Sequence, residues 1–238
     1  MQKRELANSS DGQPPKLGRR AFLRGVLAGA AGIVIGAQMS GCSGSSPRHV
    51  DDEPGDALAR PTSMGSKVLL AYFSRAGENY YYGGRTHLEV GNTEVLAGML
   101  SRLIRCDVYR IEPVDPYPDD YLATVARNVR EQVADSRPAI INPLASIEPY
   151  DTVLLGSPIW NVRAPMIMST FAESFDFTGK TVFPFTTHAM SGLGTTMRDY
   201  AATCPGATIG EGLAVRGEEV RDAGAAVESW LQRILLKR

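Results

Sequence analysis

Cysteine is scarce in this 238-residue chain: Cys42, Cys106 and Cys204 are the only three. That excludes a disulfide-stapled scaffold and a four-cysteine zinc or iron–sulfur site on this chain alone. The three histidines, His49, His87 and His188, lie far apart and show no metal-ligand spacing. Basic excess is missing as well. Lys and Arg number 25 against 26 Asp and Glu, a net charge of −1, so no positive field exists for a nucleic-acid backbone. The apolar run from Gly25 to Ala37 falls short of the about 20 residues that span a hydrocarbon core. The 24 Gly and 15 Pro are too few and too unperiodic for a fibrous chain. What remains, 43% hydrophobic and 21% charged, is an ordinary globular mixture.

Charge is unevenly spread. Residues 1–41 hold Lys3, Arg4, Lys16, Arg19, Arg20 and Arg24 against Glu5 and Asp11, and the rest of the chain carries a net −5. A basic segment followed by a short apolar one reads as an export signal. Arg19-Arg20-Ala21-Phe22-Leu23-Arg24 resembles a twin-arginine signal, whose arginine pair is the receptor-read part. Met39-Ser40-Gly41-Cys42 resembles a bacterial lipobox; cleavage before Cys42 would leave an acylated cysteine anchoring the chain to a membrane. Residues 1–41 are thus expected to be the signal peptide. The twin-arginine resemblance implies export in folded form, often with a cofactor already inserted. Residues 42–66, rich in Ser, Gly, Pro and acidic side chains, cannot bury a core and are expected to be a solvated, disordered tether.

From Lys67 onward, apolar runs alternate with helical periodicity. Strands are expected at 67–73, 107–111, 151–155 and 180–187, with a weaker one within 207–215. Helices are expected at 92–105, 119–134, 165–175, 195–202 and 218–236, with Asn92 or Thr93 as the first N-cap. Such alternation argues for one α/β domain, residues 67–238, around a single parallel sheet with right-handed crossovers. Ligands bind such sheets outside the carboxyl ends of the strands. Three of those ends are unusual: Ser74-Arg75 after the first strand, Pro158-Ile159-Trp160-Asn161 after the third, and Thr187-His188 through Gly192-Leu193-Gly194 after the fourth.

These three loops, in this order, resemble those of a flavodoxin. Tyr72-Phe73-Ser74-Arg75 and Gly91-Asn92-Thr93 look like the two ends of that family's Ser/Thr-x-Thr-Gly-Asn-Thr phosphate loop. The stretch between them, with Tyr80, Tyr81, Tyr82, Gly83 and Gly84, would be a hairpin-like insertion. Gly156-Ser157-Pro158-Ile159-Trp160 and Ser191-Gly192-Leu193-Gly194 resemble the two ring-side loops. The resemblance implies a three-layer flavodoxin-like sandwich, α/β, with a five-stranded parallel sheet in the order 2-1-3-4-5. It also implies FMN as cofactor and electron transfer as function. Its cofactor-binding positions would be Ser74, Arg75, Asn92, Thr93, Pro158, Ile159, Trp160, Asn161, Thr187, His188, Gly192 and Gly194.

The residues themselves fit that chemistry. Hydroxyls and backbone N–H groups converging on a helix N-terminus hold a phosphate without Lys or Arg. Ser74, Asn92 and Thr93 supply them, although Asn92 and Thr93 would equally well cap the helix alone. Arg75 either neutralises the phosphate or is simply solvated. Glu94, on the first helical turn, works against a dianion unless it points away. Trp160 offers a large ring to stack on a flavin, or else packs beneath the helix near Pro165. His188 moves a proton or makes a structural hydrogen bond. Asn161-Val162-Arg163 lacks the glycine that many flavodoxins use for a peptide flip on reduction. Tyr80–Tyr82 shield the ring or cover a sheet edge, and Cys106 and Cys204 read as buried small hydrophobes.

Function stays open between related and unrelated classes. An exported, membrane-tethered FMN protein would be an electron carrier or a flavin-dependent reductase, facing a redox protein or a small donor or acceptor. The rival is a flavin-free lipoprotein that uses the same fold to bind a ligand or protein. A serine hydrolase is disfavoured, because Ser157 and Ser191 lack the nucleophile-elbow setting.

Overall fold

The computed structural model describes residues 67–235, so the export signal, the Cys42 lipid site and the 42–66 tether lie outside the described residues. β1 (Val68–Tyr72) is apolar throughout because both of its faces are covered. Leu69, Ala71 and the following Phe73 enter one core, while Leu70 and Tyr72 enter the other. That is the two-residue period of a strand in a three-layer domain. After β1 come the hairpin strands β2 (Gly77–Tyr81) and β3 (Gly84–Leu88), then α1 (Asn92–Leu103) and β4 (Asp107–Arg110). α2 (Tyr121–Val133), β5 (Thr152–Pro158), α3 (Met166–Glu173), β6 (Thr181–His188) and α4 (Thr196–Thr203) follow in strict alternation. The chain ends in β7 (Thr208–Ile209), β8 (Leu213–Arg216), a 3-10 turn (Gly217–Asp222) and α5 (Gly224–Leu235).

The main sheet runs β4-β1-β5-β6, with β7 and β8 both on the outer edge of β6, and each of these pairings is parallel. Counted without the hairpin, this is the expected order 2-1-3-4-5, and the fold is the expected flavodoxin-like α/β sandwich. One face is filled by Ile167, Met168 and Phe171 of α3 and Tyr200 of α4. The other takes Leu96 and Leu100 of α1 with Val227, Trp230 and Ile234 of α5. Each such fully buried aliphatic or aromatic side chain contributes about 1.5–3 kcal/mol relative to exposure. No described helix is long and apolar enough to cross a membrane.

Three expectations need correction. The fifth strand is two short pieces rather than one, interrupted at Gly210-Glu211-Gly212. Gly210 lies against the Phe183 ring and Gly212 against Leu193, so the chain dips over β6 there and re-pairs one turn later. The last helix starts at Gly224, because residues 217–222 tighten into the 3-10 turn. Neither Asn92 nor Thr93 caps α1: the N-cap is Gly91. The stretch between β1 and α1 is an antiparallel hairpin, with Tyr82 (φ 43°) and Gly83 (φ 86°) in its tight turn. Of the two cysteines among the described residues, Cys204 is buried as expected, whereas Cys106 is only half-buried.

Candidate functional site

A helix start leaves its first N–H groups without intrahelical partners. At α1 one of them is met from a distance: the Glu94 N–H donates to Ser74 Oγ at 3.0 Å, across the whole hairpin. Gly91 makes this possible, because a Cβ there would collide with Ser74 Oγ and the Arg75 carbonyl. The hairpin therefore leaves and re-enters the fold at one pinched point, and the two segments that flank it in sequence lie side by side. Thr93, 1% exposed, reaches the next loop, with its Oγ1 2.7 Å from Thr187 Oγ1. Asn92 turns to the sheet edge, where its side-chain amide lies against Gly217.

The two ring-side candidate loops are joined just as directly. Pro158 and Thr187 are register partners, and the Ile159 N–H donates to the Thr187 carbonyl at 2.8 Å. Trp160 and Arg163 close a tight turn with Asn161 at φ 63°. Asparagine thus occupies the left-handed position for which glycine was missing in the sequence. Thr195 N–H donates to the Val162 carbonyl at 2.8 Å, and Ser191 Oγ–H to the Asn161 carbonyl at 3.2 Å. Gly194, at φ 53°, permits that approach: a Cβ there would strike the Val162 carbonyl. Gly192 offers its carbonyl to Thr186 Oγ1 at 3.1 Å. Of the twelve candidate positions, eleven are drawn into this continuous cluster of strand ends.

Arg75 is the exception. Its guanidinium donates to the carbonyls of Pro118, Glu78 and Asp119 at 2.8–3.1 Å, so it clamps the base of the hairpin to the segment before α2. It is neither solvated nor free to neutralise a phosphate. Trp160 packs against two aromatic neighbours. Half-buried, it meets Phe73 edge-to-face at 5.6 Å and Tyr117 at 4.9 Å, and these two rings fix its orientation. Glu94 does point away, held by Arg110 at 3.0 Å. His188 is half-buried at the end of β6, with Nδ1 buried and unpartnered among the described residues. Desolvation first, and the Arg216 charge second, push its pKa below the ordinary 6.5, so the ring is neutral at pH 7.

The sequence reading missed the fifth strand end. Arg216 pairs in register with His188, Gly217 touches Asn92, and Glu218, its side chain 1% exposed, accepts the N–H of Tyr82 at the hairpin tip. The signal was present, since Arg216-Gly217 follows a strand as the other three loops do, but the strand was weak and its end was set too early. A cavity of about 550 Å³ lies elsewhere, lined by Arg127, Arg130, Glu131 and Arg137, with no candidate position on its wall. No group of His, Cys, Asp and Glu among the described residues is arranged to hold a metal ion.

Comparison with known proteins adds a family and a set of shapes. The family model described as Flavodoxin matches residues 67–234. A crystal structure from Bacteroides uniformis, of a protein assigned as a flavoprotein, is 31% identical and superposes with a TM-score of 0.56. The match covers 71% of this chain and 99% of that one. A second such protein, from Bacteroides eggerthii, is 30% identical with a TM-score of 0.53, covering 68% and 98% respectively. No curated protein matches the chain.

Proposed function

The chain belongs to the flavodoxin family, and from that premise we propose that its domain from Lys67 onward holds FMN and serves electron transfer across a membrane-proximal compartment. The observation that carries the reading is the joining of three strand-end loops. Thr93 meets Thr187, Ile159 meets Thr187, and Val162 meets Thr195 within one connected edge of the sheet. The donor set there suits a phosphorylated flavin. Ser74 and Thr93 hydroxyls stand at the N-terminus of α1, where unpaired N–H groups and the helix dipole favour an anion. Pro158–Asn161 and Thr187–Gly194 would flank the ring, with backbone amides facing its polar edge and the half-buried Trp160 against its plane. The buried, unpartnered His188 Nδ1 gives a neutral imidazole with hydrogen-bonding capacity to spare. Bound FMN would supply reversible one- and two-electron chemistry, and the protein's part is to bind, orient and exclude water.

The same reading makes the protein an exported one, routed by Arg19-Arg20 and anchored through lipid on Cys42 at the outer side of the cytoplasmic membrane. Its support is the order of basic segment, short apolar run and Met39-Ser40-Gly41-Cys42. Whether it is a carrier or a reductase turns on its donor. The purified full chain is expected to show twin flavin absorption bands and to release FMN on denaturation. A colourless chain that takes up no added FMN sinks the proposal and favours a flavin-free binding lipoprotein. Direct reduction by NAD(P)H would mark a reductase. In the same preparation Cys42→Ser is expected to shift the chain from the membrane fraction to the soluble one.

A further inference from the structure

α2 turns an apolar line to solvent. Leu122, Val125, Val129 and Val133 are 59%, 40%, 48% and 84% exposed. Their spacing of three, four and four residues keeps them in one narrow stripe about 16 Å long. That is the pattern of a seam that meets a second helix. The inward face of α2 does not call on it. Glu131, Arg127 and Tyr117 satisfy one another there, and Thr124 and Asn128 are buried beside them. Single exposed aliphatic side chains are ordinary, but four aligned on three turns of one helix mark a contact surface.

The two ends of the stripe differ in charge. Near its C-terminal end, Arg127 is bound by Asp115 and Glu131, and Arg137 by Asp135 and Glu173. Arg130 is left without an ion-pair partner among the described residues. The N-terminal end is preceded by Asp119 and Asp120, and the Asp119 carboxylate, 76% exposed, pairs only loosely with His87 at 3.8 Å. A helix with a free cation at one end and carboxylates at the other complements a second copy of itself running antiparallel, where the helix dipoles also oppose. A bilayer is a poorer occupant. No tryptophan or lysine of α2 flanks the stripe, and the two carboxylates at its start would meet anionic headgroups.

We propose that α2 is the contact surface of a homodimer, in which two copies pack stripe against stripe, antiparallel, about a two-fold axis between Val125 and Val129. Val125 then faces Val129 of the second copy, and Leu122 faces its Val133. Arg130 of each copy comes near the Asp119–Asp120 end of the other. Such a contact is isologous and closes at two copies. One helix from each side buries less than a standard interface, so the dimer forms with a Kd in the micromolar range or weaker, between monomers that are already folded.

The test is sedimentation and site-directed cross-linking of the purified full chain at about 100 µM, where a micromolar contact is populated. The wild type is expected to sediment as a monomer–dimer mixture that shifts with concentration. Val129→Lys, at an exposed position, is expected to fold normally and sediment as monomer. For cross-linking, Cys42→Ser and Cys106→Ser leave only the buried Cys204 as background. Leu122→Cys and Val133→Cys chains are each expected to stay uncoupled under a short bis-maleimide, because like residues would lie about 15 Å apart along the axis. An equal mixture of the two is expected to couple, and adding Val129→Lys to both to cut the yield at least tenfold. A wild type that is monomeric throughout, a Val129→Lys chain that still dimerises, or coupling of each cysteine chain with itself would each overturn the proposal. Monomers that instead bind phosphatidylglycerol vesicles through Val129 would assign the stripe to lipid and overturn it as well.

Discussion

His188 stands where β6 runs out, with Arg216 beside it and a ring nitrogen buried without a hydrogen-bond partner among the described residues. Burial is the larger reason that protonating it is unfavourable, the Arg216 charge the second, and Glu218 and Glu219 only partly offset them. The folded-state pKa therefore lies below the ordinary 6.5, and around and below that value the unfolded chain binds the extra proton more readily. Stability is retained above the unfolded value and lost as pH falls through it. Thermal melts should thus show Tm dropping between about pH 7.5 and about pH 5.5, and His188→Gln should remove part of that drop. A variant whose Tm falls as steeply as wild type would mean the imidazole titrates as it does in water. The sequence made His188 a candidate because a titratable residue followed a buried strand. Its neutral state could not be read there, because the group that helps set it, Arg216, is 28 positions away and meets it only through strand pairing.

α2 shows how an element is found while its orientation is not. The segment 119–134 reads as a helix, and Tyr121–Val133 is one, capped by Asp120 through a 2.7 Å bond from the Ala123 N–H. Its apolar stripe of Leu122, Val125, Val129 and Val133 would ordinarily be the buried face. In the structure that stripe is exposed, and Thr124, Asn128 and Glu131 face inward. A polar network explains the reversal. Glu131 accepts from Tyr117 Oη–H and from Arg127 Nε, both at 2.7 Å, and Arg127 lies 4.0 Å over the Tyr117 ring that supports Trp160. Removing Glu131 would leave Arg127 paired with Asp115 and the Pro116 carbonyl, but would take the acceptor from its mostly buried Nε and from Tyr117 Oη–H. Glu131→Ala is accordingly expected to cost about 3 kcal/mol in chemical denaturation. Val129→Lys on the outer face should stay within about 0.5 kcal/mol. The opposite ranking would mean that the helix is turned the other way. Periodicity registers a stripe but not which side meets the protein, and only the network beneath decides that. The split fifth strand escaped the sequence for a similar reason. Gly210 and Gly212 look like ordinary strand punctuation until the Phe183 and Leu193 side chains beneath them are known.

At the scale of the whole molecule, the sheet order followed from the family resemblance, and the candidate loops from one regularity: ligands gather where parallel strands end. Each candidate loop could be located because it directly follows an apolar run. Local reading also could not resolve the role of the hairpin, which depends on whether its two ends meet. They do, since the Arg75 carbonyl abuts Gly91 and Ser74 caps the helix that follows. Deleting Gly77–Val90 would then join Ala76 to Gly91 and produce Ser74-Arg75-Ala76-Gly91-Asn92-Thr93, close to the uninterrupted family loop. The losses are countable. They are the Arg75 bonds to the Glu78 carbonyl, the Glu78 links to Asp119 and Tyr121, the Tyr82 link to Glu218, the weak Asn79 bonds to the Arg75 and Ala76 carbonyls, the His87–Asp119 pair, and the Arg85 and Arg216 contacts with the Tyr121 and Tyr82 rings. Neither apolar core includes a residue of β2 or β3. The deleted chain is therefore expected to fold cooperatively, with a far-ultraviolet circular dichroism profile that loses only the hairpin strands' contribution and a Tm lower by on the order of 5–10 °C. A deletion that abolishes folding would mean the hairpin is structural to the sheet. A folded deletion would show that the hairpin is an excursion from the fold whose two ends already lie close enough to be joined directly.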